Sequence, residues 1–387
     1  RYVNPDDRIP GNRRRMFIVK YDLATGLSER LTFGNHSTYI SDIAPDGKRL
    51  VYMTYQDTPT KRPFTSISLY EIDLNTLAVD TIATDTGFIS QAYYSPDGEK
   101  LLIIGSAAAF DNLGKNCGSH PIPNDFDNQA YIMDLATKEV KAISLDFDPN
   151  IDGFIHWAKG DGKIYFRGED GFYSRIFVYD PKTEKYDRLP IEVDYVSTFS
   201  MSKEKPSQIA YIGEGYDHAG VAYLYDVKKR SNKLLADPFK KTLDKINLAK
   251  DESWTFTASD GTVIDGVICY PPDFDPAKKY PLIVYYYGGT NPSERSIRHP
   301  YTPQMFASRD YVVYVINPSG TTGYGQEFSA RHVNAWGKRT ADDIIEGVKQ
   351  LCAEHSFINA DKIGCIGASY GGFMTQYLQT KTDIFAA

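Results

Sequence analysis

A Pro-Asp-Gly turn recurs between short apolar strands in the first half of the chain, and no other feature limits its fold as strongly. Pro45-Asp46-Gly47 and Pro96-Asp97-Gly98 each join one strand to the next, within the similar segments 40–52 and 91–103. Proline presets φ, aspartate bonds its own backbone and glycine accepts positive φ, so the chain reverses tightly. Since helical periodicity is almost absent from this half, we predict an all-β region.

Weaker copies of the same unit follow along the chain. Gly160-Asp161-Gly162 takes the turn within residues 157–166, and residues 199–212 keep only the strand after it. Four-stranded units that repeat every ~45 to 60 residues are typical of the blades of a β-propeller. We expect four blades plus the outer strands of another at residues 16–32, with further N-terminal blades outside this chain. The alternative is a β-sandwich with coincidental turns.

The pattern changes after residue 250, where strands begin to alternate with helices. Alternation of this kind predicts an α/β domain with a mostly parallel sheet. The strands are expected at 254–259, 263–270, 280–287, 311–316 and 362–366, and the helices at 302–309, 342–355 and 371–381. We therefore divide the chain into propeller blades at 1–236, an interdomain crossing at 237–250 and an α/β domain at 251–387.

Charge and composition exclude several classes of function. The chain has 387 residues, a net charge of −7 and 42% hydrophobic residues, as is ordinary for a globular protein. Nucleic acid is not an expected partner, because phosphate contacts need clustered Lys and Arg. The longest apolar stretches, 281–287 and 311–316, fall far short of the ~20 residues that span a bilayer. The four cysteines are scattered without metal-like spacing, and we expect neither a metal nor a cofactor.

The pattern Gly-x-Ser-x-Gly at residues 367–371 identifies Ser369 as a candidate nucleophile. In this motif the serine occupies a sharp turn between a strand and a helix, and small flanking residues let the backbone pack closely. The context fits, because residues 362–366 predict a buried strand and residues 371–381 predict a helix with one apolar face. The alternative is a serine in an ordinary turn between a strand and a helix of a doubly wound sheet.

Four further motifs, in the same order, resemble those of the prolyl oligopeptidase family of serine peptidases, and the match is closest to its acylaminoacyl-peptidase and dipeptidyl-peptidase branches. They are Tyr287-Gly288-Gly289-Thr290, the run from Asn317 to Gly325, Trp336-Gly337 and Asp342-Asp343. Ser319 stands where the family frequently has arginine, so an ion pair of that arginine is not assumed. The resemblance implies a β-propeller, incomplete at its N-terminal side, followed by the N-terminal part of an α/β-hydrolase domain. We expect this chain to be truncated at both ends.

The resemblance also implies roles for three residues. Acyl transfer needs a nucleophile, a base and hydrogen-bond donors aimed at the developing oxyanion. Ser369 is the expected nucleophile, and the backbone N–H of Tyr370, the next residue, is one expected oxyanion donor. The resemblance assigns the second donor to the phenol of Tyr287. The alternative for Tyr287 is a packing residue in an aromatic strand.

The remaining members of a catalytic triad are not expected within the chain. In α/β-hydrolases the acid and then the histidine follow the serine. Asp383 is the single carboxylate after Ser369, and it comes too early for the acid of the family. The seven histidines all precede the serine and are expected to be surface or packing residues: His36, His120, His156, His218, His299, His332 and His355. We expect the triad Asp and His in C-terminal sequence absent from this chain.

The leading hypothesis is a serine peptidase that hydrolyses short peptides, with the propeller of the family restricting access. The alternatives are an esterase or other acyl hydrolase that uses the same serine, and a non-catalytic propeller that binds proteins. Cleavage preference is not readable from the sequence, and a homo-oligomer is left open. Any leader is expected to lie outside this chain, which leaves the compartment open with a lean towards an exported or periplasmic protein.

Overall fold

The structure, a computed structural model, describes residues 15–57, 60, 65–202, 206–289 and 291–387. The first residues of the predicted propeller range and Thr290 of the Tyr-Gly-Gly-Thr motif lie outside the described residues. The chain divides into two units. The first, which we call the N-terminal unit, extends to Lys115 and includes Asn128–Leu145; the C-terminal unit comprises Asn116–Asp127 and Asp146–Ala387. This division differs from the predicted domain boundaries, which stay a prediction.

The N-terminal unit consists of antiparallel sheets whose strands are neighbours in sequence. Its elements are β1 (Val19–Tyr21), β2 (Ser28–Arg30), β3 (Thr38–Ile43), β4 (Arg49–Asp57), β5 (Thr65–Asp73), β6 (Val79–Ala83), β7 (Ile89–Tyr94), β8 (Lys100–Ser106), α1 (Ala109–Asn112), β9 (Asn128–Asp134) and β10 (Val140–Ala142). Strands β3–β6 form one four-stranded sheet and β7–β10 another, while β1 and β2 pair separately. These sheets correspond to the first two predicted units and to the outer strands before them.

The Pro-Asp-Gly turns connect the first two strands of each four-stranded sheet. Gly47 and Gly98 have φ of 69° and 73°, a region that favours glycine. The Asp46 carboxylate accepts a hydrogen bond from the backbone N–H of Lys48 at 2.9 Å. The sequence motif thus acts through local hydrogen bonds and φ angles, as expected for a tight reversal.

Nine strands of the C-terminal unit form one sheet, which contains two groups of antiparallel strands. They are β11 (Asn150–Ile151), β12 (His156–Trp157), β13 (Ile164–Asp170), β14 (Tyr173–Asp180), β15 (Lys185–Arg188), β16 (Tyr195–Met201), β17 (Gln208–Glu214), β18 (Val221–Asp226) and β19 (Ser231–Ala236). A single parallel pair, Ser174 with Tyr195, joins the two groups. They correspond to the third and fourth predicted units. No sheet closes on itself among the residues that the structure describes.

The rest of the C-terminal unit is a five-stranded sheet with helices. Its elements are α2 (Lys240–Leu243), β20 (Asp251–Thr257), β21 (Val263–Cys269), β22 (Tyr280–Tyr285), α3 (Pro303–Ala307), β23 (Val312–Asn317), α4 (Gln326–Ala330), α5 (Lys338–Glu354), β24 (Ile358–Ile366) and α6 (Tyr370–Gln379). The strand order is β20-β21-β23-β22-β24. Strand β21 pairs antiparallel with β20 and β23, while β22 pairs parallel with β23 and β24. Four of these five described strands therefore run in one direction, as expected for a mostly parallel sheet, and β21 runs opposite to them.

The buried core of the five-stranded sheet fixes the positions of the strand ends at which the candidate site lies. All six residues of β23 are buried, and α5 buries Ile344, Val348 and Leu351 on one face. Strands β22 and β24 run parallel with Tyr285 opposite Ile366. The chain therefore leaves both strands at the same edge of the sheet, where α/β folds commonly place their ligand sites.

None of the helices within the described ranges is both long enough and apolar enough to span a membrane.

Candidate active site

Ser369 lies in a strained turn between β24 and α6. Its φ of 52° and ψ of −112° are unusual for a residue with a side chain, and such conformations cost about 1–3 kcal/mol. The side chain is exposed and makes no capping hydrogen bond to the helix. The N–H of Gly371 donates to the carbonyl of Ala368 at 2.7 Å, and the N–H of Phe373 donates to the carbonyl of Ser369 at 3.2 Å. The turn therefore presents an exposed hydroxyl at this edge of the sheet.

The two glycines of the serine motif are required by a close approach of the backbone. A Cβ on Gly367 would lie 2.7 Å from the Cα of Gly371, well inside van der Waals contact. A side chain at Gly367 would push the end of β24 away from the start of α6, and one at Gly371 would meet the carbonyl oxygen of Tyr286. This contact is the physical reason for the Gly-x-Ser-x-Gly spacing in this chain.

The segment after β22 packs against the same helix start. A Cβ on Gly371 would lie 2.8 Å from the carbonyl oxygen of Tyr286 and 3.1 Å from that of Tyr287. The Tyr286 hydroxyl is 3.1 Å from Oγ1 of Thr375 on α6. The structure thus brings the backbone of Tyr287, which is half-buried, beside the turn that carries Ser369.

The Tyr370 side chain is held from several sides. Its hydroxyl accepts a hydrogen bond from the N–H of Gly337 at 2.9 Å, and its ring centroid is 4.8 Å from that of His332. Gly289 lies against the ring, since a Cβ there would be 2.8 Å from Cδ1. Burial raises the pKa of Tyr370. These contacts fix the residue whose backbone N–H is the predicted oxyanion donor.

The histidine nearest to this turn by ring contact is His332, which is 8% exposed. Its Nδ1 has no hydrogen-bond partner among the described residues, and burial lowers its pKa. Asp383 is exposed beyond the end of α6. Within the described ranges, no cluster of three or more His, Cys, Asp or Glu residues could hold a metal ion.

Ser319 stands where the resembled family frequently has arginine. Asp343 and two arginines lie around it. The N–H of Ser319 donates to Asp343 at 2.8 Å, and Arg339 lies 2.8 Å from the other oxygen of that carboxylate. Asp343 is fully buried, and burial raises its pKa. Arg331 is within 3.5 Å of the Ser319 hydroxyl. Positive charge thus reaches this turn from α5 and from the end of α4, which the sequence motifs did not indicate.

Carboxylates from distant parts of the C-terminal unit form a second feature that the sequence did not indicate. Glu169 is 6% exposed and accepts hydrogen bonds from Asn150 at 2.6 Å and Thr322 at 2.7 Å. Desolvation and the charge of Asp152 raise its pKa to about 7. For Glu294, desolvation and then the charges of Glu169 and Asp152 raise the pKa to about 8. More than a hundred residues separate Glu169 from Glu294, so no local pattern could reveal this cluster.

Residues 298–387 match the model of the prolyl oligopeptidase family. This part of the chain is similar to the prolyl oligopeptidase family. The match covers β23, β24, α6 and Ser369, so the resemblance inferred from the motifs is confirmed.

A curated relative of this chain is dipeptidyl-peptidase 5 of Porphyromonas gingivalis. It is 25% identical over 344 residues, which cover 88% of this chain and 48% of the relative. The chain thus spans about half the length of the curated relatives it matches.

Solved structures of the prolyl oligopeptidase family share the fold. A puromycin-hydrolyzing peptidase of Mycobacterium tuberculosis aligns with a TM-score of 0.67 and 18% identity, over 92% of this chain and 54% of that one. The acylaminoacyl peptidase of Pyrococcus horikoshii aligns with a TM-score of 0.56 and 17% identity, over 95% and 71% respectively. The likeness extends over most of this chain and shows a shared fold.

Proposed function

We propose that the protein containing this chain is a serine peptidase that hydrolyses short peptides through an acyl-enzyme on Ser369. The observation that carries the proposal is the exposed, strained turn of Ser369 beside the backbone of Tyr287. Relatives named dipeptidyl-peptidase support peptide substrates and favour the release of dipeptides. We further propose that the four-stranded units belong to a propeller that limits the size of the substrate.

The proposed reaction uses three groups of this chain. Oγ of Ser369 attacks the scissile carbonyl carbon, a C–O bond forms, and the carbonyl π electrons move to the oxygen. The N–H of Tyr370 and the phenol of Tyr287 donate hydrogen bonds to that oxyanion. Collapse of the intermediate breaks the C–N bond and releases the amine, and water then hydrolyses the ester. The serine proton passes to a histidine that we expect in C-terminal sequence beyond this chain, and from it to the leaving amine.

Fluorophosphonate labelling of the full-length protein tests this proposal. We expect the probe to modify Ser369, as located by peptide mapping, and we expect Ser369→Ala to abolish both labelling and peptide turnover. Loss of the triad as a unit costs on the order of 10⁶ in kcat in a related hydrolase. Ser308→Ala is the matched control, because Ser308 is also exposed in the C-terminal unit and its hydroxyl donates to the carbonyl of Met305, a near neighbour in sequence.

Substrate panels separate the competing functions. Peptides with free and with acylated N-termini, together with simple esters, are compared on the full-length protein. Faster cleavage of peptides than of esters supports the peptidase. Turnover of esters alone would indicate an acyl hydrolase, and an unlabelled Ser369 without turnover would indicate a binding protein.

A further inference from the structure

The segment of residues 293–298 begins six residues after Tyr287, and several of its backbone N–H groups donate to residues distant in sequence. The backbone N–H of Ser293 donates to Oδ1 of Asn317 at 2.8 Å. The N–H of Ile297 donates to the carbonyl of Gly215 at 2.9 Å. The segment therefore has a fixed position relative to both the five-stranded sheet and the strands before it in the C-terminal unit.

Glu214 at the end of β17 binds two side chains of the 293–298 segment. It accepts a hydrogen bond from the Ser296 hydroxyl at 2.7 Å and one from Nε of Arg298 at 2.5 Å. The Glu214 side chain is 3% exposed. A buried carboxylate with two donors on one segment holds that segment in place, because leaving it unpaired would be costly.

Arg295 lies at the centre of the segment and is 8% exposed. Nε donates to Asp194 at 2.7 Å, and Nη2 pairs with Asp251. The guanidinium also lies 4.9 Å from the centroid of the Tyr216 ring. Asp194 precedes β16 and Asp251 begins β20, so one buried side chain joins the strands of the nine-stranded sheet to the five-stranded sheet.

Only seven residues separate Arg295 from Tyr287 in the sequence, and residues at both ends of this stretch are held by contacts. Tyr287 and Gly289 pack against α6 at one end, and Asn317 and Arg295 hold the other end. Gly289 on one side and Ser293 and Arg295 on the other are thus each held by a close contact or a buried hydrogen bond. We infer that Arg295 is a positioning residue, which holds the chain after β22 so that the Tyr287 phenol reaches the oxyanion. The inference rests on the proposed function.

A double-mutant cycle on the full-length protein tests the inference. Tyr287→Phe, Arg295→Met and the double variant are compared by kcat and KM on one peptide substrate. Loss of one oxyanion donor costs about 10²–10³ in kcat, and we expect Arg295→Met to lower kcat about 10- to 100-fold with KM changed less than about threefold. If Arg295 acts through Tyr287, the double variant should have a kcat less than about tenfold below that of Arg295→Met alone.

Two further variants keep the test decisive. Arg230→Met is the matched control, because Arg230 also pairs with an aspartate in the C-terminal unit but is half exposed, and we expect its kcat to be unchanged. Arg295→Lys keeps the positive charge without the planar fork. If Arg295→Met fails to fold by circular dichroism, the same cycle is run with Arg295→Lys.

The outcomes are distinct. If Tyr287→Phe lowers kcat by the same factor in the wild type and in Arg295→Met, the two residues act independently. That result would overturn the positioning role. A wild-type kcat in Tyr287→Phe, with turnover abolished in Ser369→Ala, would overturn the inference and leave the peptidase standing. Full turnover in Ser369→Ala would overturn the proposed function and the inference together.

Discussion

The two turns that meet at the candidate active site are held by different kinds of contact. The Ser369 turn is fixed by residues close in sequence, since Gly367 packs on Gly371 and the hydrogen bonds of the turn join residues three or four apart. The chain after Tyr287 is fixed by distant residues, of which Asp194 lies 101 positions from Arg295. A locally fixed turn follows from its own sequence, whereas the second turn requires the surrounding fold. The proposed nucleophile, Ser369, and the proposed oxyanion donor, Tyr287, thus depend on different parts of the molecule.

Gly371→Ala is expected to have the largest effect, because Gly371 is where the two turns touch. The added Cβ would lie 2.8 Å from the Tyr286 carbonyl oxygen, a backbone atom that cannot rotate away. Overpacking of this kind costs about 1–3 kcal/mol of stability, and a shift of ~1 Å at a reacting group can cost 10²-fold in rate. We expect the rate of fluorophosphonate labelling of Ser369 to fall about 100-fold.

Gly372→Ala is the matched control for this substitution. Its Cβ would meet nothing closer than the Gly367 carbonyl oxygen at 3.6 Å, which is ordinary contact. We expect labelling at the wild-type rate. Equal labelling rates in Gly371→Ala and Gly372→Ala would mean that the two turns do not constrain each other.

Local patterns account for the parts of the fold that the sequence predicted. The Pro-Asp-Gly turns and the strand and helix around Ser369 depend on φ angles and hydrogen bonds between near neighbours, which residue types reveal directly. Helix α5 begins at Lys338, four residues before the predicted start at residue 342. The prediction missed this first turn because it is polar and carries no apolar periodicity.

Contacts between distant residues account for what was missed. The strands at 254–259 and 263–270 were predicted, but the antiparallel pairing of β21 with β23 depends on how the sheet assembles. Arg295 and Arg339 are ordinary charged residues in the sequence, and their roles appear only when Asp194 and Asp343 lie beside them. The assignments of Tyr287 and Tyr370 as oxyanion donors stay predictions.

Gly289→Ala tests the same contact from the other turn and should have a smaller effect. Its Cβ would lie 2.8 Å from Cδ1 of the Tyr370 ring, and a ring can shift by a few tenths of an ångström where a carbonyl cannot. The hydrogen bond from Gly337 limits that shift. We expect labelling of Ser369 to slow by about 3- to 10-fold. A loss as large as that of Gly371→Ala would show that Tyr370 is as rigid as the backbone.

Glu294→Gln tests the contacts of the segment after Tyr287 through the pH dependence of stability. We expect it to have the smallest effect. Desolvation, Glu169, Asp152 and Glu214 raise the pKa of Glu294 to about 8, against the lowering effect of Arg167. Between its ordinary pKa of 4.5 and about 8, the unfolded state releases this proton and the folded state keeps it. Stability therefore falls as pH rises through this window. In urea unfolding at pH 5 and pH 8.5, Glu294→Gln should lose less stability than wild type, whereas exposed Glu99→Gln should follow wild type. An unchanged pH dependence in Glu294→Gln would mean that this carboxyl is ionised in the folded protein at neutral pH, and that the segment after Tyr287 tolerates its charge.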